Sequence, residues 1–203
     1  MIPVVVSQRV DSIRARSETR DALDQRLSEL LSSVGIMSFP VPNILLENNL
    51  LTWLEHLNPR GVLLSGGNDL GTVENRDNAE RTLMRFAFEK KIPLLGICRG
   101  MQFIAIEAGA VLSRIEGHIS SRHAIRATIS GLPKSVNSFH QFGLLECPPG
   151  YHVLAYSDEE WDANSIEAIR HHSLPWEGWM WHPEREKSFA EEDLMRLSEL
   201  YRG

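Results

Sequence analysis

The chain has 203 residues, 42% hydrophobic and 24% charged, with a formal net charge of −6; it is long enough to bury a sizeable core, is not a disordered chain, and gives no reason to expect nucleic acid as a partner. Only two cysteines are present, Cys98 and Cys147, which argues against a disulfide framework and for a reducing compartment, the cytoplasm. No apolar run is long enough to span a membrane, and the first residues, Met-Ile-Pro-Val-Val-Val-Ser, lack the basic flank and length of a signal peptide.

Ile2 to Val6 is a continuous apolar run and reads as the first buried strand. Ser7 to Ser17 reads as a loop. With Arg20 just beyond, it puts four arginines, Arg9, Arg14, Arg16 and Arg20, into twelve residues. From Ser17 to Val34 the apolar positions Ala22, Leu23, Leu27, Leu30, Leu31 and Val34 have helical spacing, and Gly35 ends the run. On that reading the arginines precede a helix N-terminus, whose dipole they oppose, and a bound anion would relieve the conflict. The bland alternative is a solvated charged face.

Ile36 to Phe39 reads as a second strand, Asn48 to Leu57 as a helix, and Gly61 to Ser65 as a third strand running into Gly66-Gly67. Glu74 to Lys91 is a helix with Ala79, Leu83, Phe86 and Ala87 on one face. Ile92 to Ile97 is a short buried strand, and Met101 to Ala108 a helix capped by Gly109. This alternation predicts an α/β fold in three layers, a mostly parallel central sheet with helices on both faces. Sites in such sheets form beyond the carboxyl ends of the strands, where Ser7, Gly66 and Cys98 all fall. After Gly109 the runs Val111-Leu112, Ala124 to Ile129, Val153 to Tyr156, Ile166 to Ile169 and Trp176 to Trp181 read as short additional strands, antiparallel to or beside the sheet. His171 to Pro175 reads as a hairpin loop, and Glu191 to Tyr201 as a closing helix. With no repeat, linker or low-complexity segment, residues 1–203 are expected to form one domain.

Three segments carry chemistry. In Gly96-Ile97-Cys98-Arg99-Gly100 the cysteine sits at a tight strand-to-helix turn between two glycines, the cysteine form of a nucleophile elbow. The helix N-terminus behind it favours a thiolate. In Trp181-His182-Pro183-Glu184, His182 is a candidate base and Glu184 a candidate orienting carboxylate. Ser65-Gly66-Gly67-Asn68-Asp69 follows an apolar strand and can present a backbone N–H to an oxyanion. A lone Cys is more often a buried core residue; the glycine spacing and the partner motifs argue otherwise here.

In this order the motifs resemble the class I glutamine amidotransferase-like family, with a flavodoxin-like fold and a Cys-His-Glu triad, over most of the chain from Val4 to about Glu186. The chain is most similar to the free-standing γ-glutamyl hydrolase branch, and within it to the γ-glutamyl-CDP-amidate hydrolases of capsule phosphoramidate synthesis. That closer resemblance rests on Ser7-Gln8-Arg9, Arg20-Asp21-Ala22-Leu23-Asp24, Ser65 to Asp69, Ser121-Arg122-His123, Val136 to His140 and Met180 to Glu186. The resemblance implies catalysis by Cys98, His182 and Glu184, with backbone N–H groups of Gly67 and Arg99 at the oxyanion. It implies a glutamyl pocket built with Gly66, Asn68, Gln102, Asn137, Ser138, Phe139 and His140. Arg9 and Arg16 are the candidates to meet a diphosphate through charge-assisted hydrogen bonds.

The implied reaction is hydrolysis of a γ-glutamyl amide to release glutamate, with γ-glutamyl-CDP-amidate as the leading substrate and γ-glutamyl-γ-aminobutyrate as the alternative. A glutaminase subunit supplying ammonia to a partner synthetase is a second reading, and a homodimer stays open. A non-catalytic binding protein would have no need of the nucleophile constellation. The partner is thus a small-molecule γ-glutamyl amide, and no cofactor is expected. Eight histidines raise the question of a metal, but His171-His172 are adjacent, His118 and His123 fall in a predicted loop, and no Cys has zinc-ligand spacing, so no metal is expected. Cys147, beside Pro148-Pro149, reads as structural. Trp179 and Trp181 share one face by period two and read as core, whereas Trp161 in a polar loop is freer to stack on a ligand.

Overall fold

The computed structural model describes residues 1–159, 162 and 164–202; Trp161 lies outside the described residues. Strand β1 (Ile2–Val6) leads into β2 (Arg9–Ile13) and β3 (Glu18–Ala22), followed by α1 (Gln25–Ser33), β4 (Ile36–Pro40), α2 (Glu47–Leu57), β5 (Gly61–Leu64), α3 (Glu74–Lys90), β6 (Leu94–Ile97) and α4 (Arg99–Glu107). Then come β7 (Ser113–Arg114), β8 (Ile119–Ala127), β9 (Ser135–Phe139), β10 (Phe142–Gly143), β11 (Tyr151–Ser157), β12 (Ile166–His171), β13 (Trp176–Trp179) and α5 (Glu191–Arg202).

Val4, Val5 and Val6 of β1 are all fully buried, which in a strand requires cover on both faces. Val4 and Val6 pack with Leu27, Leu30 and Leu31 of α1 and Leu197 of α5. Val5, on the other face, packs with Leu50 and Leu54 of α2, Leu83 and Phe86 of α3, and Met101 and Ile104 of α4. The result is a three-layer α/β arrangement around a nine-stranded sheet of order β4-β1-β5-β6-β13-β12-β11-β8-β9. The strands from β4 to β13 are parallel, and from β12 onward each pairs antiparallel with its neighbour. The parallel half with added antiparallel strands is the layout the alternation of patterns predicts. Four neighbours in the parallel half, β1, β5, β6 and β13, end at one edge, and they carry Ser7, Ser65, Cys98 and Met180 immediately or nearly beyond their last residues. Among the described residues no helix is long and apolar enough to cross a membrane.

The sharpest difference from the sequence reading lies in the arginine segment. Residues expected as a loop and the first turns of a helix form a β2–β3 hairpin, in register from Arg9 opposite Ala22 to Ile13 opposite Glu18, with Arg14–Arg16 at its tip. Helix α1 starts only at Gln25, where Asp24 accepts a hydrogen bond from the Arg26 N–H (2.9 Å) and caps it. The arginines therefore do not crowd that helix terminus, and the argument from the helix dipole falls. The hairpin is largely exposed and has no buried side chain, so it lacks the apolar alternation by which strands are read.

Smaller shifts follow the same logic. The strand expected at Val111-Leu112 is Ser113–Arg114, paired with β10. His123 is on β8 opposite Val136, not in a loop, and His118 immediately precedes that strand. Trp179 and Trp181 are core, stacked at 5.4 Å and almost fully buried. Cys147 is exposed, and its thiol lies 3.2 Å from the Tyr151 carbonyl as a donor.

Candidate active site

Cys98 occupies the turn between β6 and α4 with φ 50° and ψ −105°, a conformation a side-chain-bearing residue adopts only when its surroundings enforce it. The enforcement is visible. The Cys98 N–H donates to the Trp179 carbonyl (2.7 Å), and the Cys98 carbonyl accepts from the Gln102 N–H (3.0 Å). Gly100 lets α4 press against β5: a Cβ there would stand 2.1 Å from the Leu64 carbonyl oxygen. Larger residues at this position are incompatible with the elbow.

His182 follows β13 and is nearly fully buried, as is Glu184. The imidazole Nδ1 lies 2.6 Å from Glu184 Oε1; a carboxylate accepts, so Nδ1 carries the hydrogen. Burial works against a charged imidazole, but contact with Cys98 and Glu184 outweighs it and raises the His182 pKa to about 9. Gly66 makes room for this ring, since a Cβ there would fall 2.5 Å from His182 Cε1. Asn137 brackets the same residue: its side chain accepts from the His182 N–H (3.0 Å) and donates to the His182 carbonyl (2.8 Å).

A cleft beside Cys98 is lined by Gly67, Arg99, Gln102, Phe139 and His140. Gln102 donates to the Phe142 carbonyl (2.8 Å), which fixes it in that wall, and Phe139 meets the His182 ring edge-on at 5.9 Å. A second cleft, which shares Gly67 and His182 with the first, is also lined by Arg9, Asp11, Gly66 and Glu184. Arg9 is half exposed there and pairs with Asp11 at 2.8 Å.

Other sequence candidates sit elsewhere. Asn68 faces the hairpin, accepting from the Val10 N–H (2.8 Å) and donating to the Val10 carbonyl (2.9 Å). Ser138 is fully buried and donates to the His118 carbonyl (2.9 Å), away from Cys98. Arg16 is exposed at the hairpin tip and lines neither cleft.

Beneath the site lies a buried charge network that motif reading missed. Arg76 is fully buried and its guanidinium reaches Glu80 (3.0 Å), the Ser65 carbonyl (2.7 Å) and the Gly66 carbonyl (2.9 Å). Arg99 is paired with both Glu80 and Asp77. Ser7 donates to Glu80 (2.8 Å) and accepts from the Ser65 N–H (2.9 Å). The Gly66-Gly67 turn and the start of α4 are thus tied to one cluster. Arg76 and Glu80 stand four apart on a helix, a signal ordinarily read as a surface pair. The histidines also depart from expectation. Spacing along the chain offered no ligand set, yet His118, His140 and Glu167 come together, all buried, with ligand atoms within 4.8 Å of one another.

The glutamine amidotransferase class-I family profile matches residues 17–198, and the chain belongs to that family. The glutamine-hydrolyzing GMP synthase subunit of Pyrococcus abyssi is 33% identical over 178 residues, covering 84% of this chain and 88% of the relative. The γ-glutamyl-CDP-amidate hydrolase of Campylobacter jejuni is 33% identical over 143 residues, covering 68% of each chain. A solved structure from Thermoplasma acidophilum, provisionally described as the corresponding GMP synthase subunit, superposes with a TM-score of 0.73 at 20% identity, covering 100% of this chain and 94% of that one. That likeness supports the fold.

Proposed function

We propose that the chain is a cysteine-dependent hydrolase of γ-glutamyl amides, formed by one glutamine amidotransferase type-1-like domain. The observation that carries the reading is the Glu184–His182 pair held against Cys98 on a strained elbow. With His182 protonated at neutral pH, the Cys98 thiolate attacks the γ-carbonyl carbon. Charge on the carbonyl oxygen is met by the N–H groups of Gly67 and Arg99. The C–N bond breaks as His182 protonates the leaving nitrogen, leaving a glutamyl thioester. Neutral His182 then takes a proton from water, the hydroxide attacks the thioester, and glutamate leaves as the C–S bond breaks. Gln102, Phe139 and His140 hold the glutamyl group in the adjoining cleft.

The substrate we favour is γ-glutamyl-CDP-amidate, giving CDP-amidate. It is supported by the Campylobacter relative and by Arg9 at the mouth of the second cleft, where a diphosphate can replace Asp11 as its partner. A specific observation favours a second reading, a glutaminase subunit that passes ammonia to a synthetase: the archaeal relatives named as GMP synthase subunits align over more of the chain. It implies a partner chain rather than a homodimer. A panel of γ-glutamyl-CDP-amidate, γ-glutamyl-γ-aminobutyrate and glutamine, scored by glutamate release from the isolated chain, separates these readings. Turnover of the nucleotide substrate well above the others is expected. Turnover of glutamine alone, and only with an added synthetase, would replace the hydrolase reading with the subunit reading.

A further inference from the structure

Around strands β8, β9 and β12 lies a cluster of imidazoles and carboxylates of which only His140 also reaches the cleft beside Cys98; His118, His123, Asp162 and Glu167 have no part in the reaction. Ring centroids of His118 lie 4.6 Å from His123 and 4.7 Å from His140. Glu167 and His118 are fully buried, and His123 and His140 nearly so.

The hydrogen bonds at the rim decide what faces inward. His123 Nδ1 lies 3.0 Å from the Ala124 carbonyl, and His140 Nδ1 lies 3.1 Å from the Phe142 carbonyl. A carbonyl only accepts, so both Nδ1 atoms carry hydrogen and both Nε2 atoms present a lone pair. Among the described residues those two Nε2 atoms meet no donor, and neither does Glu167 Oε2. Buried acceptors gathered without donors are costly and rare. The arrangement fits a cation. Two imidazoles and a carboxylate are the ligand types of zinc and its first-row neighbours rather than of magnesium or calcium.

The surroundings of His118 have the same character. Its Nε2 lies 3.0 Å from Asp162 Oδ2, while its Nδ1 lies 3.0 Å from Ser138 Oγ and 3.8 Å from Glu167 Oε1. A carboxylate on one ring nitrogen is the support that metal-bound histidines ordinarily have; the other nitrogen now meets Ser138 Oγ, with Glu167 beyond it, and would exchange that hydroxyl for an ion. Asp162 is itself held by Ser165 (2.6 Å).

We propose that His118, His140 and Glu167 bind a divalent first-row transition-metal ion, with zinc as the natural occupant and His123 beside it as a further nitrogen. Closing ligand atoms now within 4.8 Å of one another onto bonds of about 2.0–2.2 Å asks each side chain to move by on the order of 1 Å. The ion would be structural. It would clip β8, β9 and β12 together and fix the segment bearing Phe139, His140 and Phe142, which forms one wall of the cleft beside Cys98.

The test uses the full chain, stripped with a chelator and titrated with Zn(II) or Co(II). Bound metal is counted after dialysis, and the Co(II) visible spectrum reports the ligands. A single ion per chain is expected, with a nitrogen–oxygen ligand spectrum, and Zn(II) should raise the melting temperature by linkage. Glu167→Gln should abolish this binding, and Asp162→Asn should weaken it by about 10–100-fold, as for other supporting carboxylates. Cys98→Ser and the exposed-histidine variant His172→Ala should leave it intact. Wild-type chain that retains no metal would overturn the proposal and leave a proton on Glu167 or a bridging water to satisfy the acceptors; this result needs no variant to fold. Binding that disappears in Cys98→Ser, with a thiolate band in the Co(II) spectrum, would also overturn it by placing the ion at Cys98.

Discussion

Replacing Glu80 with alanine tests whether the buried network beneath the elbow holds the fold together. Glu80 is fully buried and pairs with two guanidinium groups, those of Arg76 and Arg99, while also accepting from Ser7. Arg99 keeps Asp77 as a partner when Glu80 is lost, so Arg76 is the charge left without a contacting carboxylate, with the Ser65 and Gly66 carbonyls and Asn68 against it. Burial already lowers the Arg76 pKa, with Glu80 acting to restore it. Removing one partner of a buried pair costs about 3–5 kcal/mol, because the other charge remains without compensation. For a chain of this size about 1 kcal/mol moves the melting temperature by roughly 2–4 °C, so Glu80→Ala should lower it by roughly 6–20 °C. The reference is Glu107→Ala, which removes a more exposed partner of Arg81 and should cost about 0–1 kcal/mol. Thermal unfolding followed by circular dichroism compares the two. If Glu80→Ala melts no lower than Glu107→Ala, the carboxylate is not what holds the fold, and the Arg76 bonds to the Ser65 and Gly66 carbonyls keep the turn without it.

Cys98→Ala should remove turnover by several orders of magnitude, since a nucleophile and base that act as a unit fail together, and should lower the melting temperature at neutral pH, because the Cys98 contact that raises the His182 pKa is lost; residual glutamate release near the wild-type rate would take Cys98 out of the mechanism. Glu184→Gln should lower the His182 pKa from about 9, because it removes one of the two groups that favour the imidazolium; the alkaline limb of kcat against pH should move to lower pH, and an unmoved limb would separate Glu184 from the imidazole. The same raised pKa makes His182 a source of stability that is complete below about pH 6.5 and lost as pH rises through about 9; the wild-type chain should lose more stability over that window than His182→Gln, as urea titrations at several pH values would reveal. Arg9→Ala should weaken kcat/KM for a diphosphate-bearing substrate by roughly 1.5–3 kcal/mol per charged hydrogen bond lost, an effect that shrinks with salt and is absent for plain glutamine; an equal loss on both substrates would make Arg9 structural.

What the sequence made legible is what depends on local pattern. Buried parallel strands such as Val4-Val5-Val6 and Leu94 to Ile97 are continuous apolar runs, and the elbow is marked by glycines whose absent side chains are required by contacts as close as 2.1 Å. What stayed hidden depends on long-range pairing. Ser138 and Asn137 are neighbours in one motif, yet strand alternation turns Ser138 toward His118 and leaves Asn137 to clasp the His182 backbone. Likewise His118, His140 and Glu167 have no spacing that a zinc signature would show. They meet because β8 pairs with β9 and the sheet then brings β12 within reach through β11. A sequence window sees Arg76 and Glu80 as a helix pair four apart, and only the fold buries them. Polar residues are read as exposed by default, so networks of buried charge are the class of feature a single sequence conceals most completely. Here one such network holds Arg99 at the start of the elbow helix, and the other reaches the cleft beside Cys98 through His140.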